Sequence, residues 1–365
     1  MANPTGGGFA AQRRDELLHE LRAHGALQVT EMSRRLGVSE VTLRRDVNAL
    51  VNTGVAERVH GGAVLRDRPA PARGVGAEPR FTIGMVAPST NYYWPTIFAD
   101  ARSVAAELGV QLVVRASTYA IDDHQKQIAK LVTLGVDALI TAPDTDAPGA
   151  DRLLRWLDEL AIPVVLAERM PMDPGGYTHI EWVASDHTGG ARLAVDHLVA
   201  SGHHRIGLFD LGTSNPTVPQ LRRGWSEQLI RHGIAPEDQL TGNSVEFVSD
   251  HRDAAIDDVL ARCAETGTTA LIILPDPYAV LFVQRAQDVG VRIPDDLSIV
   301  AYDDEVAHTS DPPLSAVHPP KRYIGRQAVE LAVARLAEGI RRPPHRVSVG
   351  AQLVVRSSSG PAPTT

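Results

Sequence analysis

From Phe81 onward, short apolar runs alternate with stretches of helical spacing, and this alternation limits the possible folds more than any other feature of the chain. The runs are FTIGMVA, QLVVRA, DALITA, PVVLAE, RIGLFD, ALIILPD and LSIVAYD, and the helical stretches include WPTIFADARSVAAELG and YIGRQAVELAVARLAEG. Such alternation predicts parallel β-sheets with helices on both faces. Because the runs are many, we predict an α/β fold with two lobes rather than one sheet.

Ligands of such folds bind beyond the carboxyl ends of the strands, so the residues after each run are candidates for a binding site. The first run is followed by PSTNYYWP, where Asn91 can form hydrogen bonds and the aromatic residues 92–94 offer flat faces. Aromatic faces beside a few polar groups suit a sugar or a nucleoside. The alternative is that some of these aromatic side chains pack in the core.

Charged residues follow several other runs, and they are Asp144, Asp146, Glu168, Arg169, Asp186, Asp276, Asp303 and Asp304. Carboxylates can accept hydrogen bonds from sugar hydroxyls, and arginine can donate hydrogen bonds to them. A single acidic residue in such a place can equally cap the next helix.

Residues 10–66 follow a different pattern. DELLHELRAHG predicts a first helix that stops at Gly25, VTEMSRRLG predicts a short second helix capped by Thr30, and Ser39 can cap a third helix after a turn at Gly37. This is the order of a helix-turn-helix motif. NTG and VAERVHGGAVL then predict a turn and a short hairpin, which would form a wing.

In the third helix, the side chains predicted to pack inward are those of Val41, Val47, Leu50 and Val51. The candidates for the outer face are then Ser39, Glu40, Thr42, Arg44, Arg45 and Asn48. Arginine can bind guanine or phosphate, asparagine can bind adenine, and serine or threonine can hold phosphate. A solvated basic face is the alternative for the arginine pair alone, and the wing that follows favours DNA.

The charge is unevenly distributed along the chain. The net charge is −8, yet residues 1–80 hold twelve Arg and nine Asp or Glu, so the acidic excess lies in the remainder. A mildly basic N-terminal segment before an acidic body is compatible with a DNA-binding regulator.

VSEVTLRRDVNAL and RVHGGA closely resemble the N-terminal domain of the DeoR family of bacterial repressors. The family signature is V-S-x-x-T-[IL]-R-R-D-L-x-x-L followed by R-x-H-G-G-A, and Val47 replaces its usual leucine. The resemblance covers residues 10–66 and implies a winged helix-turn-helix domain. By this resemblance, the residues that contact DNA would be Ser39, Thr42, Arg44, Arg45, Arg58 and His60.

VVLAER, VASDHTGGARLAVDHLVASGHHRIGLF, IPDDLSIVAYDD and LVVRSSS resemble the effector-binding domain of the LacI/GalR family over residues 81–359. The resemblance implies a type I periplasmic-binding-protein-like body, in which two lobes joined by three crossing segments hold a small molecule between them. By this resemblance, the effector-binding residues would be Asn91, Tyr93, Trp94, Asp146, Arg169, Asp186, Arg222, Asp276 and Asp303.

Three positions depart from the LacI/GalR pattern. Pro275-Asp276-Pro277 stands where the family has Asn-Asp, Pro319 stands where it has glutamine, and Leu221 stands where it has arginine, with Arg222 beside it. Each change removes a hydrogen-bonding group, so the sugar specificity of well-known members does not carry over.

The predicted organisation is a tail at 1–9, a winged helix-turn-helix domain at 10–66, a linker at 67–80, an effector-binding domain at 81–359 and a tail at 360–365. The linker RDRPAPARGVGAEPR has the composition of an extended segment. It lacks the leucine-bearing hinge helix that regulators of the lactose-repressor type carry here, so we expect another route of coupling, through the geometry of a dimer.

No motif predicts a metal site or a cofactor, and no set of nucleophile, base and orienting group predicts an enzyme. Cys263 is the only cysteine, which excludes an internal disulfide, and it is predicted to lie in the core. The N-terminus does not resemble a signal peptide, and no apolar stretch is long enough to span a membrane. We therefore expect a cytoplasmic protein that does not associate with membranes.

Together these patterns predict a transcriptional regulator, most simply a homodimeric repressor of carbohydrate-utilisation genes. A small sugar-like effector between the lobes would change its affinity for operator DNA. A nucleoside or purine effector is the alternative that the aromatic residues 92–94 permit. A sugar-binding transport receptor is less favoured, since such a receptor needs a signal peptide and no DNA-binding domain.

Overall fold

The structure is a computed structural model that describes residues 17, 20, 26–52, 56–59, 62–65, 79–88, 91–171, 173–212 and 215–363. The chain divides into two compact units, Met1–Ala77 and Glu78–Thr365, which we call the head and the body. The predicted tail at 1–9 and residues 67–78 of the predicted linker lie outside the described residues.

The described part of the head contains an antiparallel sheet and the two helices of the predicted motif. The strands are β1 (Ala26–Gln28), β2 (Ala56–Val59) and β3 (Gly62–Leu65), with β3 in the middle. The helices are α1 (Val29–Leu36) and α2 (Glu40–Asn52). The predicted hairpin is present as β2 and β3, and Leu43, Val47 and Leu50 of α2 share one apolar core with Met32 of α1.

The turn between α1 and α2 has the predicted chemistry. Gly37 ends α1 at a φ of 64°, a left-handed conformation that glycine adopts without steric cost. Ser39 caps α2, because its Oγ accepts a hydrogen bond from the backbone N–H of Thr42 at 3.2 Å.

Two predictions for the head are wrong. Helix α1 begins at Val29, so Thr30 lies exposed within the helix and does not cap it. Val41 does not pack inward, since its side chain is 78% exposed. The inner face of α2 is set by Leu43 and Val47, and at about 100° per residue Val41 lies on the opposite side of the helix from Leu43.

The body contains β4 (Thr82–Ala87), β5 (Gln111–Ala116), β6 (Ala138–Thr141), β7 (Val164–Ala167), β8 (Glu181–Asp186), β9 (Ile206–Asp210), β10 (Thr241–Asn243), β11 (Ala270–Ile273), β12 (Ser298–Tyr302), β13 (Ser315–His318), β14 (Arg346–Gly350) and β15 (Gln352–Val354). Its helices are α3 (Trp94–Glu107), α4 (Ile121–Thr133), α5 (Ala150–Asp158), α6 (His187–Ala200), α7 (Val218–Arg231), α8 (Arg252–Thr266), α9 (Asp276–Asp288) and α10 (Lys321–Glu338). Short 3₁₀ turns lie at Pro174–Gly176, Pro236–Asp238, Ser244–Val248, Ala307–Thr309 and Gly339–Arg341.

The described residues of the body form two sheets, each the centre of a lobe. In the N-terminal lobe the strand order is β14-β8-β7-β6-β4-β5, with parallel pairs throughout. In the C-terminal lobe the order is β10-β9-β11-β12-β13-β15, and only β15 is antiparallel to its neighbour. Apolar clusters lie on both faces of each sheet. The predicted α/β architecture with two lobes is confirmed.

Along the described part of the body, the chain crosses between the lobes three times. It leaves the N-terminal lobe where β8 ends and α6 begins, at Asp186 and His187. It returns at Pro319 and Pro320, between β13 and α10, and α10 packs against α3. It crosses again at Ala351, between β14 and β15. The two lobes are therefore held together by short segments at one edge, an arrangement that permits hinge motion.

Candidate functional sites

A cleft lies between the lobes, where the carboxyl ends of parallel strands from both sheets meet. It encloses about 410 Å³. The residues that line it are Tyr92, Tyr93, Trp94, Tyr119, Arg169, His187, Leu211, Asn215, Thr217, Leu274, Pro275, Pro277, Tyr278 and Asp303. The cleft is of the size that a small ligand needs, and aromatic rings and a few polar groups share its walls.

Glu168 organises the wall that belongs to the N-terminal lobe. The buried Glu168 carboxylate accepts hydrogen bonds from the hydroxyl of Tyr93 at 2.7 Å and from the backbone N–H and hydroxyl of Ser185 at 2.9 and 2.8 Å. Nε2 of His187 lies 3.7 Å from the same carboxylate. These partners use the oxygens of Glu168, so this residue orients Tyr93 rather than presenting a free acceptor to a ligand.

Arg169 is a buried cation with an unused donor. The residue is only 6% exposed, and its Nη1 donates to the backbone carbonyl of Glu168 at 2.7 Å. Its guanidinium lies 5.8 Å from the ring centroid of Trp94, while its buried Nε has no hydrogen-bond partner within the described part of the chain. Because an unsatisfied buried donor is costly, a ligand that accepts a hydrogen bond from Arg169 would be stabilised here.

Tyr92 connects the two lobes across the cleft. Its hydroxyl, which belongs to the N-terminal lobe, donates to Oδ1 of Asp276 at 2.5 Å and lies 3.1 Å from Oδ2 of Asp303. Asp276 is fully buried at the start of α9 and also accepts hydrogen bonds from the backbone N–H groups of Val306 and Ala307 at 2.6 and 2.8 Å. In this conformation the Tyr92 hydroxyl therefore takes up hydrogen-bonding capacity of both Asp276 and Asp303.

The Asp303 carboxyl holds its proton more tightly than an ordinary aspartate. Its pKa is raised to about 7, chiefly by burial, while the Lys321 ammonium opposes this rise and the neighbouring Asp276 adds to it. Lys321 donates to the backbone carbonyl of Asp303 and pairs with Glu305 at 2.7 Å. Burial and the two aspartates also raise the pKa of the Tyr92 hydroxyl. The Tyr92 hydroxyl has one proton, which it donates to Asp276. When Asp303 is protonated, its carboxyl can donate a hydrogen bond to the Tyr92 oxygen, so that Asp303, Tyr92 and Asp276 are linked in one chain.

Five predicted effector-binding residues lie outside the lining of this cleft, and one of them is the fully buried Asp276. Asn91 and Asp146 have exposed side chains, although partial desolvation of its carboxyl and the neighbouring Asp144 raise the pKa of Asp146. Asp186 caps α6, where its Oδ1 accepts the backbone N–H of Gly189 at 2.7 Å. Arg222 forms two hydrogen bonds to Asp210, at 2.6 and 2.9 Å. The Asp186 carboxylate is thus used at the start of α6, and the Arg222 guanidinium is paired with an aspartate at the end of β9.

Other cleft residues were missed in the sequence. Tyr119 follows β5 and His187 follows β8, so the strand-end rule that pointed to the acidic residues could have found both. Asn215, Thr217 and Tyr278 lie near the starts of α7 and α9, where sequence alone gives a weaker signal.

A second candidate site is the exposed face of α2. Ser39 and Thr42 hold each other through their hydroxyls at 2.9 Å, in addition to the cap. Arg44 pairs with Glu40 at 3.0 Å along the helix, and Arg45 is exposed. The remaining predicted DNA contacts are in the hairpin. Arg58 lies in β2 opposite Ala63, and His60 lies outside the described residues.

The described residues contain neither a candidate metal site nor a candidate membrane-spanning helix. Among the described residues, no group of three or more His, Cys, Asp or Glu side chains is placed to hold a metal ion. No helix in the same part of the chain is long and apolar enough to cross a bilayer.

Comparisons with known proteins match both units. Residues 13–68 match the family model of the DeoR-like helix-turn-helix domain, and residues 195–359 match that of the periplasmic binding protein-like domain. An arabinose metabolism transcriptional repressor from Geobacillus stearothermophilus is 26% identical over 343 residues, which cover 90% of each chain. The HTH-type transcriptional repressor PurR of Photobacterium profundum is 24% identical over 338 residues, covering 90% of this chain and 98% of PurR.

Solved structures give the same fold. A complex of the transcriptional regulator CelR with cellobiose has a TM-score of 0.65 and 24% identity, over 88% of this chain and 91% of that one. The Escherichia coli transcriptional repressor AscG has a TM-score of 0.63 and 23% identity, over 76% of this chain and 98% of that one. The chain is therefore a transcriptional regulator in which a DeoR-like helix-turn-helix domain is joined to a periplasmic binding protein-like domain.

Proposed function

We propose that this chain represses carbohydrate-utilisation genes, and that a sugar-like effector in the cleft changes its affinity for operator DNA. The observation that carries the proposal is the cleft itself, where the rings of Tyr93 and Trp94 line the same space as Arg169, whose Nε has no partner among the described residues. Aromatic faces stack on sugar rings, and a buried donor selects a ligand with an acceptor oxygen. The similarity to an arabinose metabolism repressor and to a cellobiose complex supports this class of effector.

The mechanism that follows is a shift between two conformations of a homodimer. An effector that contacts Arg169 on one lobe and Asp303 on the other binds more tightly to the conformation in which these two residues are at the right separation. The difference in binding free energy between the two conformations is available to change the spacing of the two heads. A changed spacing would alter how well the dimer fits two operator half-sites. DNA would be contacted by α2 and the β2–β3 hairpin.

A gel-shift titration on the promoter region of the chain's own gene tests this proposal. We expect a specific complex whose apparent Kd changes when one member of a panel of mono- and disaccharides is added. Asp303→Asn should bind the same DNA and lose the response, whereas Asp250→Asn, an exposed carboxyl elsewhere in the body, should keep it. A specific complex that responds to no sugar would contradict a carbohydrate effector.

A nucleoside or purine effector is the second candidate, favoured by the number of aromatic rings in the cleft. Tyr92, Tyr93, Trp94, Tyr119 and Tyr278 all line it, and flat rings stack on a base as readily as on a sugar. The similarity to PurR supports this candidate. A thermal-shift screen of sugars against nucleosides and bases separates the two, because a ligand at about 100 times its Kd stabilises the body by about 2.7 kcal/mol.

A further inference from the structure

We propose that Val41 reads the 5-methyl group of a thymine in each operator half-site, and so makes one position of the operator specific for thymine. The inference rests on the proposed binding of DNA by α2. It begins with an anomaly in the head. Val41 is the most exposed large apolar side chain in the described part of the chain, at 78%.

The folding of α2 does not require this valine. The inner face of the helix consists of Leu43, Asp46, Val47 and Leu50, all less than 9% exposed, and Val41 lies on the opposite side. A β-branched residue is also a weaker helix former than the straight-chain residues that usually occupy exposed helical positions. Neither packing nor helix propensity therefore explains a valine here.

The neighbours of Val41 do explain it. Residues 41, 44, 45 and 48 are all exposed and have the spacing i, i+3, i+4 and i+7, so they form one continuous stripe along α2. Arginine pairs with guanine and asparagine with adenine in the major groove, and apolar side chains contact the thymine methyl. Val41, Arg44, Arg45 and Asn48 thus have the side-chain types that read base edges.

The charge around the stripe matches DNA. Arg44 and Arg45 belong to the stripe, and Arg34 and Arg35 are exposed in the last turn of α1. Two arginines at the end of α1 and two within α2 can complement the phosphates on either side of a groove. An apolar surface on a partner protein would not be complementary to these arginines. We therefore favour the major groove of DNA over a protein partner as the surface that this stripe contacts.

The length of the stripe limits what it can read. At about 1.5 Å per residue, Val41 and Asn48 are separated by about 10 Å along the helix axis, which is about three base-pair steps. Val41, in the first turn of α2, would contact the base pair at one end of these three steps, and Asn48 would contact the base pair at the other end. The predicted half-site therefore has a thymine within about four base pairs of the position that Asn48 contacts.

Replacement of thymine by deoxyuridine tests the inference, because this change removes only the methyl group. The operator is first selected with the full-length protein from a random duplex library, and each thymine is then replaced in turn. We expect the wild-type protein to lose about fourfold in affinity per half-site at one thymine, the loss expected for about one methylene-sized contact. Val41→Ala should bind the thymine and deoxyuridine duplexes equally, with an affinity close to that of the wild type for deoxyuridine.

Thr30→Ala is the matched control, since Thr30 is an exposed β-branched residue of the same unit outside the stripe. It should discriminate thymine from deoxyuridine as the wild type does. Val41→Ala should melt at or slightly above the wild-type temperature, because alanine is the better helix former, and this separates a loss of contact from a loss of folding. If Val41→Ala retains the discrimination, or the wild type shows none at any thymine, the inference is wrong although DNA binding stands. If the wild type selects no sequence, the proposed function itself is contradicted, and the inference with it.

Discussion

Tyr92 ties the two lobes together through a single hydroxyl. Its hydrogen bonds reach Asp276 and Asp303 on the opposite wall of the cleft. A ligand hydroxyl that uses the same carboxylates must take the place of Tyr92 or share them with it. This one side chain therefore contributes both to the stability of the conformation in which the two lobes are bonded and to the free energy of effector binding.

Tyr92→Phe should lower the unfolding free energy of the body by about 1–3 kcal/mol, because Asp276 loses a donor while it remains buried. Urea denaturation measures this change, and small-angle scattering should show a more open body. Tyr323→Phe, at an exposed tyrosine, is the control and should be neutral. Unchanged stability and shape in Tyr92→Phe would mean that the hydroxyl does not tie the lobes together.

Asp303 makes the stability of the body depend on pH. Its pKa is about 7 in the folded chain against an ordinary value of 3.8, so the folded chain binds more protons than the unfolded chain between these two values. The contribution of Asp303 to stability is therefore fully present below the lower value and is lost as pH rises through the higher one. The slope is at most about 1.4 kcal/mol per pH unit.

We expect Asp303→Asn to flatten this decline between about pH 5 and about pH 7. Unfolding free energies from urea titrations at several pH values measure the slope. Asp250→Asn, an exposed carboxyl, should keep the slope of the wild type. An equal slope in Asp303→Asn and the wild type would assign the pH dependence to other groups.

At the scale of the elements, the close approach of α6 and α7 supports the first crossing between the lobes. Gly224 of α7 lies so near α6 that a Cβ on it would be 2.1 Å from the Thr188 carbonyl oxygen and 2.9 Å from the Cβ of Ala191. Both obstacles lie on the helix that begins directly after Asp186. A side chain at Gly224 would therefore displace α6, the helix on which His187 lines the cleft.

Gly224→Ala should lower the unfolding free energy by about 1–3 kcal/mol, the range for overpacking of a tight interface. It should also weaken effector binding, since His187 moves with α6. Calorimetric melting and ligand titration measure the two effects. Gly350→Ala is the matched control, because a Cβ at Gly350 has no atom within 4 Å. A neutral Gly224→Ala would show that the two helices separate without cost.

At the scale of the whole molecule, the head and the body are separate compact units, and we propose that the head binds DNA and the body binds the effector. Arg44→Ala and Arg45→Ala remove donors from the exposed face of α2, and each should weaken operator binding by about 1–3 kcal/mol. The double variant should bind the operator no better than unrelated DNA. Because the cleft lies wholly within the body, effector affinity measured by calorimetry should not change. Loss of effector affinity in these variants would show that the two units are not separable.

The elements and the architecture could be predicted from the sequence because both follow from local patterns. The apolar runs of the body became strands, and all of these except the edge strand β5 are largely buried. Gly37 and Ser39 became the turn and the cap that the sequence predicted. The cleft could be predicted only in part. Strand-end position pointed to Arg169 and Asp303, but the same rule also selected Asp276, which lies buried outside the lining, and Asp186, which caps a helix.

What the sequence by itself determined is the order of strands and helices, the two lobes, and the helix-turn-helix motif, since periodicity, caps and turns act over a few residues. Only the tertiary structure decided which polar groups remain available. Arg222 turned out to be paired with Asp210, Arg169 retained an unused donor, Tyr92 reached across to the other lobe, and Val41 faced outward. The physical reason is that the partner of a polar group and the exposed side of a helix depend on residues distant in sequence, which only packing brings together.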